Sequence, residues 1–362
     1  MEQVKTDITI IGGGIAGCIA AISLADKFNV TLVDKLLEPR ERIGESLTPA
    51  AHRILRELNL LDALESLQGE VFLKNMGMQS YWGSDQVHFV DHLRNPDGFV
   101  KSLNRKAFEQ FLREATEKRG VECLWNTKML SSNRDKHWEI TLQTADEAPF
   151  SIESNFVIDA SGRQAHFARS LGVKREVEDK LIACWMSLPN TFENTMSTIS
   201  SGATGWWYSA VIPNNQRVVA FHTDSDLIEK NKLKSAESLL ELAQTNTEIA
   251  QILDESEDVQ FHGTVAANST RLTHVCGDHW AALGDAALSF DPLSSQGMFN
   301  AMASAMQLRD LILKFGFSED LQTIYSGQTD RIWQQYLQHK SIFYQAEQRW
   351  KEESFWKRRL GN

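Results

Sequence analysis

Gly12-Gly13-Gly14-Ile15-Ala16-Gly17 lies directly behind an alternating β-branched run, Asp7 to Ile11, and opens an apolar stretch at helical spacing, Ile15 to Lys27. No other segment narrows the fold as far. In such a turn Gly12 permits the tight reversal, Gly14 lets backbone approach a pyrophosphate, and Gly17 lets helix pack on strand. The backbone of Ile15, Ala16 and Gly17 then offers free N–H groups and a positive dipole end to phosphates. Val30 to Val33 reads as a second strand. It ends at Asp34 and Lys35, about 20 residues past the glycines, where a carboxylate binds ribose hydroxyls. Strand, glycine turn, helix and strand make a βαβ opening, the start of a parallel sheet. A ligand-free glycine turn is the competing reading, and the register of Asp34 argues against it.

Two later segments repeat the theme. Val157-Ile158-Asp159-Ala160-Ser161-Gly162-Arg163 delivers an Asp from a buried strand into a turn of small residues. Leu283-Gly284-Asp285-Ala286-Ala287 does the same, and Asp291-Pro292-Leu293-Ser294-Ser295-Gln296-Gly297-Met298 then leads into a helix. Asp159 or Asp285 is suited to accept from a sugar-chain hydroxyl, and the loop and helix N-terminus beyond to lie against a flat ring. Each alone is equally an ordinary strand-to-helix turn; beside the first motif they form a set.

The remaining chain supplies the frame. Its 362 residues suggest one large or two intimate domains. A net charge of −11 gives no basic footprint for nucleic acid or a membrane surface, and no apolar run has the length of a membrane span. Cys18, Cys123, Cys184 and Cys276 are scattered, with no metal-like cluster, and the N-terminus has no signal-peptide pattern, so the default is thiols in the cytoplasm. The ten Trp need partners for their N–H groups wherever they are buried. Helices are expected over Ser46–Leu67 (one or two), Arg105–Arg119, Ala236–Leu253, Met298–Leu313 and from Ile324 onward, with strand-like segments between. The nucleotide-domain signals come from both ends of the chain. We therefore expect a discontinuous nucleotide domain (1–72, 98–170 and 266–330), a β-rich inserted domain (73–97 and 171–265) and a helical C-terminus (331–362).

The GxGxxG with Asp34, Arg105 opening its amphipathic helix, the Asp159–Arg163 segment and the Gly284–Gly297 segment together resemble the FAD-binding pattern of group A flavoprotein monooxygenases. The resemblance spans nearly the whole chain. It implies an α/β fold, with a Rossmann-type FAD domain, an inserted β-rich substrate domain and a helical C-terminus. It also implies FAD as cofactor, Asp34 on the adenosine ribose, Arg105 on the pyrophosphate or ribityl region and Asp285 on the ribityl chain. Gly44-Glu45-Ser46 with Pro49, Lys74 with Trp82, and Gly205-Trp206-Trp207-Tyr208 with Ile212-Pro213 resemble the tryptophan halogenase branch. Two departures stand out. Halogenases carry Glu after Pro-Leu, where this chain has Ser294, and they have a substrate-covering C-terminal region beyond this length. The segments Tyr344–Trp350 and Ser354–Arg359 instead resemble the LodB/GoxB-type flavoprotein maturases. By that resemblance the substrate is a Trp side chain in the precursor of an oxidase bearing cysteine tryptophylquinone. Molecular oxygen is then the co-substrate, and NAD(P)H or a flavin reductase the electron source. An FAD-dependent halogenase or hydroxylase of a small indole-like molecule is the alternative, and a non-catalytic FAD-bearing maturation chaperone a third.

Single residues carry paired readings. Lys74 is either catalytic or a solvated lysine on a strand. Glu45 is either a catalytic residue facing the flavin or substrate, with Ser46 at the cofactor, or a helix-entry acid that caps beside Ser46. His52 reads first as structural. Trp206-Trp207-Tyr208 either stack on an indole or fill a core. Trp350 to Arg359 either dock a partner or pack as a last helix on their own domain.

Overall fold

The structure, a computed structural model, describes residues 4–91, 95–193, 195–229, 233–253 and 258–361. Its first sheet has a parallel centre in the spatial order Glu122–Leu124, Val30–Val33, Val4–Ile11, Phe150–Asp159, Trp280–Ala282. Cys276–Gly277 extends one edge, and the hairpin of Thr127–Arg134 and Trp138–Thr144 joins Phe150–Asp159 antiparallel. Both faces of the centre are covered, which explains its near-continuous Val, Ile and Leu. The register is what positions a site. Ile11 stands opposite both Val33 and Asp159, and Asp159 opposite Ala282, so the strands stop at one level. Ligands of such sheets bind in the crevice beyond those carboxyl ends.

The helix Ile15–Leu24 is buried nearly all round, as a helix between a sheet and other helices must be. It packs against Arg105–Lys118 and Gly297–Phe315. Asn104 caps Arg105–Lys118, its side chain accepting from Ala107 N at 3.0 Å. The stretch 46–67 is a short strand, Ser46–Leu47, and two helices, Ala50–Glu57 and Leu61–Glu65.

The second sheet runs Gln260–Ala266, Leu181–Pro189, Gln216–Asp224, Gly205–Ile212, Ser197–Gly202, Gly77–Tyr81, His88–Asp91. Only Ser197–Gly202 and Gly77–Tyr81 pair in parallel. One face, with Cys184, Met186, Trp207 and Phe221, lies under Leu239, Ala243 and Ile249 of the helices Ala236–Gln244 and Thr247–Ala250. The other face turns Trp185, Ile199 and Trp206 toward Ile43, Leu293 and the C-terminal Tyr344, Phe355 and Trp356.

The helix Glu319–Gln345 ties the two sheets together. Tyr325 Oη donates to Ala282 O at 2.8 Å, on the nucleotide side. Two turns from its end Tyr336 Oη accepts from Asp291 N at 2.8 Å, and Tyr344 Oη donates to Asp291 Oδ2 at 2.8 Å. The buried indoles find partners, among them Trp206 on Tyr344 Oη (3.2 Å), Trp356 on Gly202 O (2.9 Å) and Trp138 on His279 O (2.8 Å). Among the described residues no helix is long and apolar enough to cross a membrane.

Candidate functional site

The crevice beyond the parallel strands gathers the glycine turn, Asp34, the 160–162 turn and Gly284-Asp285. Gly12 has φ +115°, and a Cβ there would stand 2.4 Å from Ala160 O. A Cβ on Gly17 would stand 1.8 Å from Gly12 O. These two glycines are therefore demanded by packing. Gly14 is not: a Cβ there meets nothing within 4 Å. The turn is open at that point, above the N-terminus of Ile15–Leu24, where a pyrophosphate would lie.

Asp34 is held in place by the turn it serves. Its Oδ2 accepts from Gly13 N at 2.6 Å and its Oδ1 from Leu36 N at 2.7 Å. Arg113, which sequence reasoning missed, lies 3.3 Å from Asp34 Oδ1. It also donates to Gly13 O at 3.2 Å and to Leu37 O at 3.0 Å, and stacks 4.2 Å above the Trp125 ring. It lies off the apolar face of Phe108, Leu112 and Ala115, in the buried row of Glu109 and Thr116, and no apolar spacing marked it. Leu37, Gln110, Arg113 and Trp125 line a cleft of about 610 Å³ beside Asp34, placed and sized for an adenosine end. Lys35 points outward to Gln164 Oε1 at 2.8 Å.

Across the crevice Asp285 presents a half-exposed side chain, with Arg163 Nε 3.7 Å from its Oδ2. Behind it Arg175 grips the backbone, donating to Asp285 O at 3.1 Å and to Ala286 O. Gly284 has φ +55° and packs on Ala16 and Ala301. Pro292, Ser295 and Gly297 are exposed and Gln296 half-exposed at the N-terminus of Gly297–Phe315, with Met298 buried behind them. Gly162, at φ +67°, has open space where a Cβ would be. Asp159 differs from expectation. It is fully buried, its Oδ1 accepting from Ser161 N (3.0 Å) and Oγ (2.6 Å), its Oδ2 from Ala168 N (2.8 Å). With no exposed surface and both oxygens engaged, it shapes the crevice from behind, whereas Asp34, also hydrogen-bonded to backbone, keeps an exposed edge.

Arg105 also works through the chain. It donates to Gly44 O at 2.8 Å, to Ile43 O at 3.2 Å and to Glu109 Oε1 at 2.6 Å, while Nε is buried and unpartnered. The contacts fix the loop before Glu45, where Gly44 turns at φ +100°. Glu45 is then carried inward. It is 2% exposed, and neither carboxylate oxygen has a partner among the described residues. Burial pushes its carboxyl up to about 6, opposed in part by the polarity of its own backbone N–H, then by the Arg105 charge and the Gly44 backbone. Ser46 pairs with Ser102 in the short strand that follows. The open turn at Gly14 and the orphaned carboxylate of Glu45 both fit a bound FAD and its substrate.

Lys74 and Glu45 are joined by no hydrogen bond or ion pair among the described residues. Lys74 stands exposed with its Nζ 5.8 Å from the Phe99 ring. The buried cation of that strand pair is its cross-strand neighbour Lys101, which meets Glu65 at 2.7 Å and the Phe72 ring at 4.3 Å. His52 is structural, its Nδ1 2.8 Å from Asp97 O, and burial lowers its pKa. Of the two readings of Trp350 to Arg359, packing on its own domain is the one its aromatic anchors follow, although Lys351–Ser354, Lys357 and Arg358 stay exposed. Phe355 and Trp356 are fully buried against the chain's own second sheet, and Arg359 binds Asp224 Oδ1 at 2.6 Å. Among the described residues no cluster of His, Cys, Asp and Glu is arranged to hold a metal, and the four cysteines are free.

Comparison with known proteins agrees with this geometry. The FAD binding domain family model matches residues 5–335. LodB of Marinomonas mediterranea, provisionally named an FAD-dependent oxidoreductase, is 32% identical over 361 residues, covering 98% of this chain and 96% of LodB. A pyrrole-2-carbonyl peptidyl-carrier-protein brominase of Pseudoalteromonas luteoviolacea is 26% identical, covering 86% of this chain and 78% of the brominase. Among solved structures, the flavin-dependent halogenase CmlS superposes with a TM-score of 0.84 at 25% identity, covering 98% of this chain and 68% of CmlS. QhpG, a peptidyl tryptophan dihydroxylase essential for tryptophylquinone cofactor biogenesis, shares the fold with a TM-score of 0.81 at 20% identity, covering 98% of this chain and 79% of QhpG. Matched along its nucleotide site and along nearly all of LodB, the chain belongs to the FAD binding domain family, as an FAD-dependent oxidoreductase of the halogenase-like monooxygenase branch.

Proposed function

We propose that the protein oxygenates a Trp side chain of a partner protein, the precursor of an oxidase acquiring cysteine tryptophylquinone. The observation that carries the reading is the end-to-end likeness to LodB, which bears out the maturase resemblance of the sequence. The name of QhpG, a fold neighbour, points to the same kind of substrate. Ser294 supports it too. Its hydroxyl donates to Asp291 O at 2.8 Å, so the flavin-side loop presents no acid where halogenases carry Glu.

When bound, FAD supplies oxygen activation, with molecular oxygen as co-substrate and NAD(P)H or a reductase as electron source. The chain supplies position and dryness. The Gly14 turn and the Ile15–Leu24 N-terminus hold the phosphates, and Asp34 and Asp285 the two sugar parts. Loops 43–46 and 291–297, packed through Ile43 and Leu293 on the second sheet, would flank the ring on an apolar side and help to exclude water there.

The halogenases among the relatives, a tryptophan 2-halogenase at 24% identity included, favour a second reading, halogenation of an indole-like molecule. Co-expression of a quinoprotein precursor with and without this protein separates them. Mass spectrometry is expected to find oxygen added to the precursor's Trp only when the protein is present. A precursor that gains its quinone absorbance equally well alone defeats the proposal.

A further inference from the structure

A carboxylate buried without a hydrogen-bond donor is costly, and folds tolerate one chiefly where a ligand completes it. Glu45 is such a group, with both oxygens unpartnered at 2% exposure. Arg105 offsets the charge of Glu45 only in part and makes no hydrogen bond to it, its terminal nitrogens bonding Ile43 O, Gly44 O and Glu109. The surroundings define what the missing donor looks like. Trp185 lies opposite Ala220, Ala220 opposite Tyr208, and Tyr208 opposite Ile199. Residues directly opposite share a face, so these four form one apolar row across the second sheet. Ile43, two residues before Glu45, packs on both ends of that row. The Glu45 charge is felt by Tyr208, whose hydroxyl is pushed up by burial first and by Glu45 second. Glu45 therefore enters the space between the flavin loop and a flat apolar wall.

We propose that Glu45 reads the substrate's indole, its carboxylate accepting the indole N–H while the Trp185–Ala220–Tyr208–Ile199 row backs the ring. The inference rests on the proposed Trp oxygenation and names how that substrate is recognised. A Trp side chain is the one protein side chain that combines a flat apolar body with a single N–H donor and no acceptor. Oxygen addition withdraws electrons from the ring and makes the N–H a stronger donor. The bond to Glu45 is then stronger in the transition state than in the bound substrate, the condition for raising rate as well as affinity.

The test uses FAD-loaded protein and two probes, N-acetyl-tryptophanamide and its 1-methylindole analogue, which lacks the donor. Each is titrated while the flavin absorbance is followed. A site built around an N–H rejects the analogue that lacks it, because the buried acceptor is left unpaired. The wild type is expected to prefer the N–H probe by about tenfold or more, the scale of a hydrogen bond to a charged group. Glu45→Leu is expected to abolish that preference, and Glu45→Gln, which keeps an acceptor oxygen, to retain part of it. Equal binding of the probes by the wild type, or binding of neither, overturns the inference without any variant. So does a Glu45→Leu protein that keeps the preference but loses FAD, which would turn Glu45 toward the flavin. An N–H preference beside an unmodified co-expressed precursor defeats the oxygenation reading alone. Oxygenated precursor without an N–H preference defeats only this inference.

Discussion

Burial raises the Glu45 carboxyl from 4.5 to about 6. Between those values the folded protein holds more proton than the unfolded chain, so stability falls as pH rises through the window. Above it the full cost of the buried charge is present, about 2 kcal/mol for a shift of this size. Glu45→Gln is therefore expected to be more stable than the wild type near pH 8 by about 2 kcal/mol, with the gain vanishing at or below the ordinary carboxyl value. Urea unfolding at several pH values measures it, and a variant less stable at neutral pH contradicts the burial argument. The glycines divide in the same manner. Gly17→Ala puts a Cβ 1.8 Å from Gly12 O and is expected to damage fold and FAD retention together. Gly14→Ala meets no protein atom within 4 Å. It is expected to fold normally without FAD and to weaken FAD binding on the order of tenfold, since its methyl group occupies the pyrophosphate's approach. Lys74, exposed over Phe99, is expected to behave as a surface residue. Lys74→Ala should leave oxygen coupling within about twofold, the scale of ordinary surface substitutions; a large rise in hydrogen peroxide would restore its catalytic reading.

The C-terminal helix Ser354–Leu360 is held by a buried ion pair, Arg359 with Asp224, exposed by 5% and 2%. Removing one partner of such a pair strands the other charge, at a cost of roughly 3–5 kcal/mol. Asp224 also holds Arg358 at 2.9 Å, so the partner whose loss strands a buried charge is Asp224. Asp224→Ala is expected to lower unfolding stability by about 3 kcal/mol, read by chemical denaturation. This helix also marks where sequence reasoning ended. Aromatic and basic residues in one segment suit a partner surface and an internal one equally, and only the fold shows Trp82 donating to Phe343 O at 2.8 Å across 261 positions. The nucleotide-binding elements were legible because their signals are local. Gly12, Gly14 and Gly17 answer to one turn, and Asp34 to one strand end. Asp159 was not, because its acceptor atoms are consumed by a turn whose geometry no spacing reveals. Arg113 and Lys101 were missed for a related reason: a buried cation announces itself only through partners brought from elsewhere, Asp34 and Glu65. Glu45 was named among the candidates, but its lack of partners, the fact that gives it a role, belongs to the three-dimensional arrangement.

At the scale of the whole molecule, the flavin-side loop offers Ser294 turned back on Asp291 rather than a free acid. Reactions with tryptophan, reduced FAD and chloride or bromide are therefore expected to give no halogenated product. A halogen isotope pattern in the mass spectrum would favour the second reading instead. The sheet order has a consequence for how the protein is made. Val4–Ile11 leaves the ribosome first, yet its neighbour Phe150–Asp159 comes far later, and Trp280–Ala282 later still. The Gly284-Asp285 turn follows, and the Tyr344 clamp on Asp291 comes later again. No chain that stops before residue 280 contains both halves of the crevice. Arrested nascent chains that stop before residue 280 are expected to retain no flavin, whereas released full-length chains bind it. Flavin capture thus waits on the strand Trp280–Ala282 and the turn behind it, which couples cofactor loading to the joining of segments far apart in the sequence.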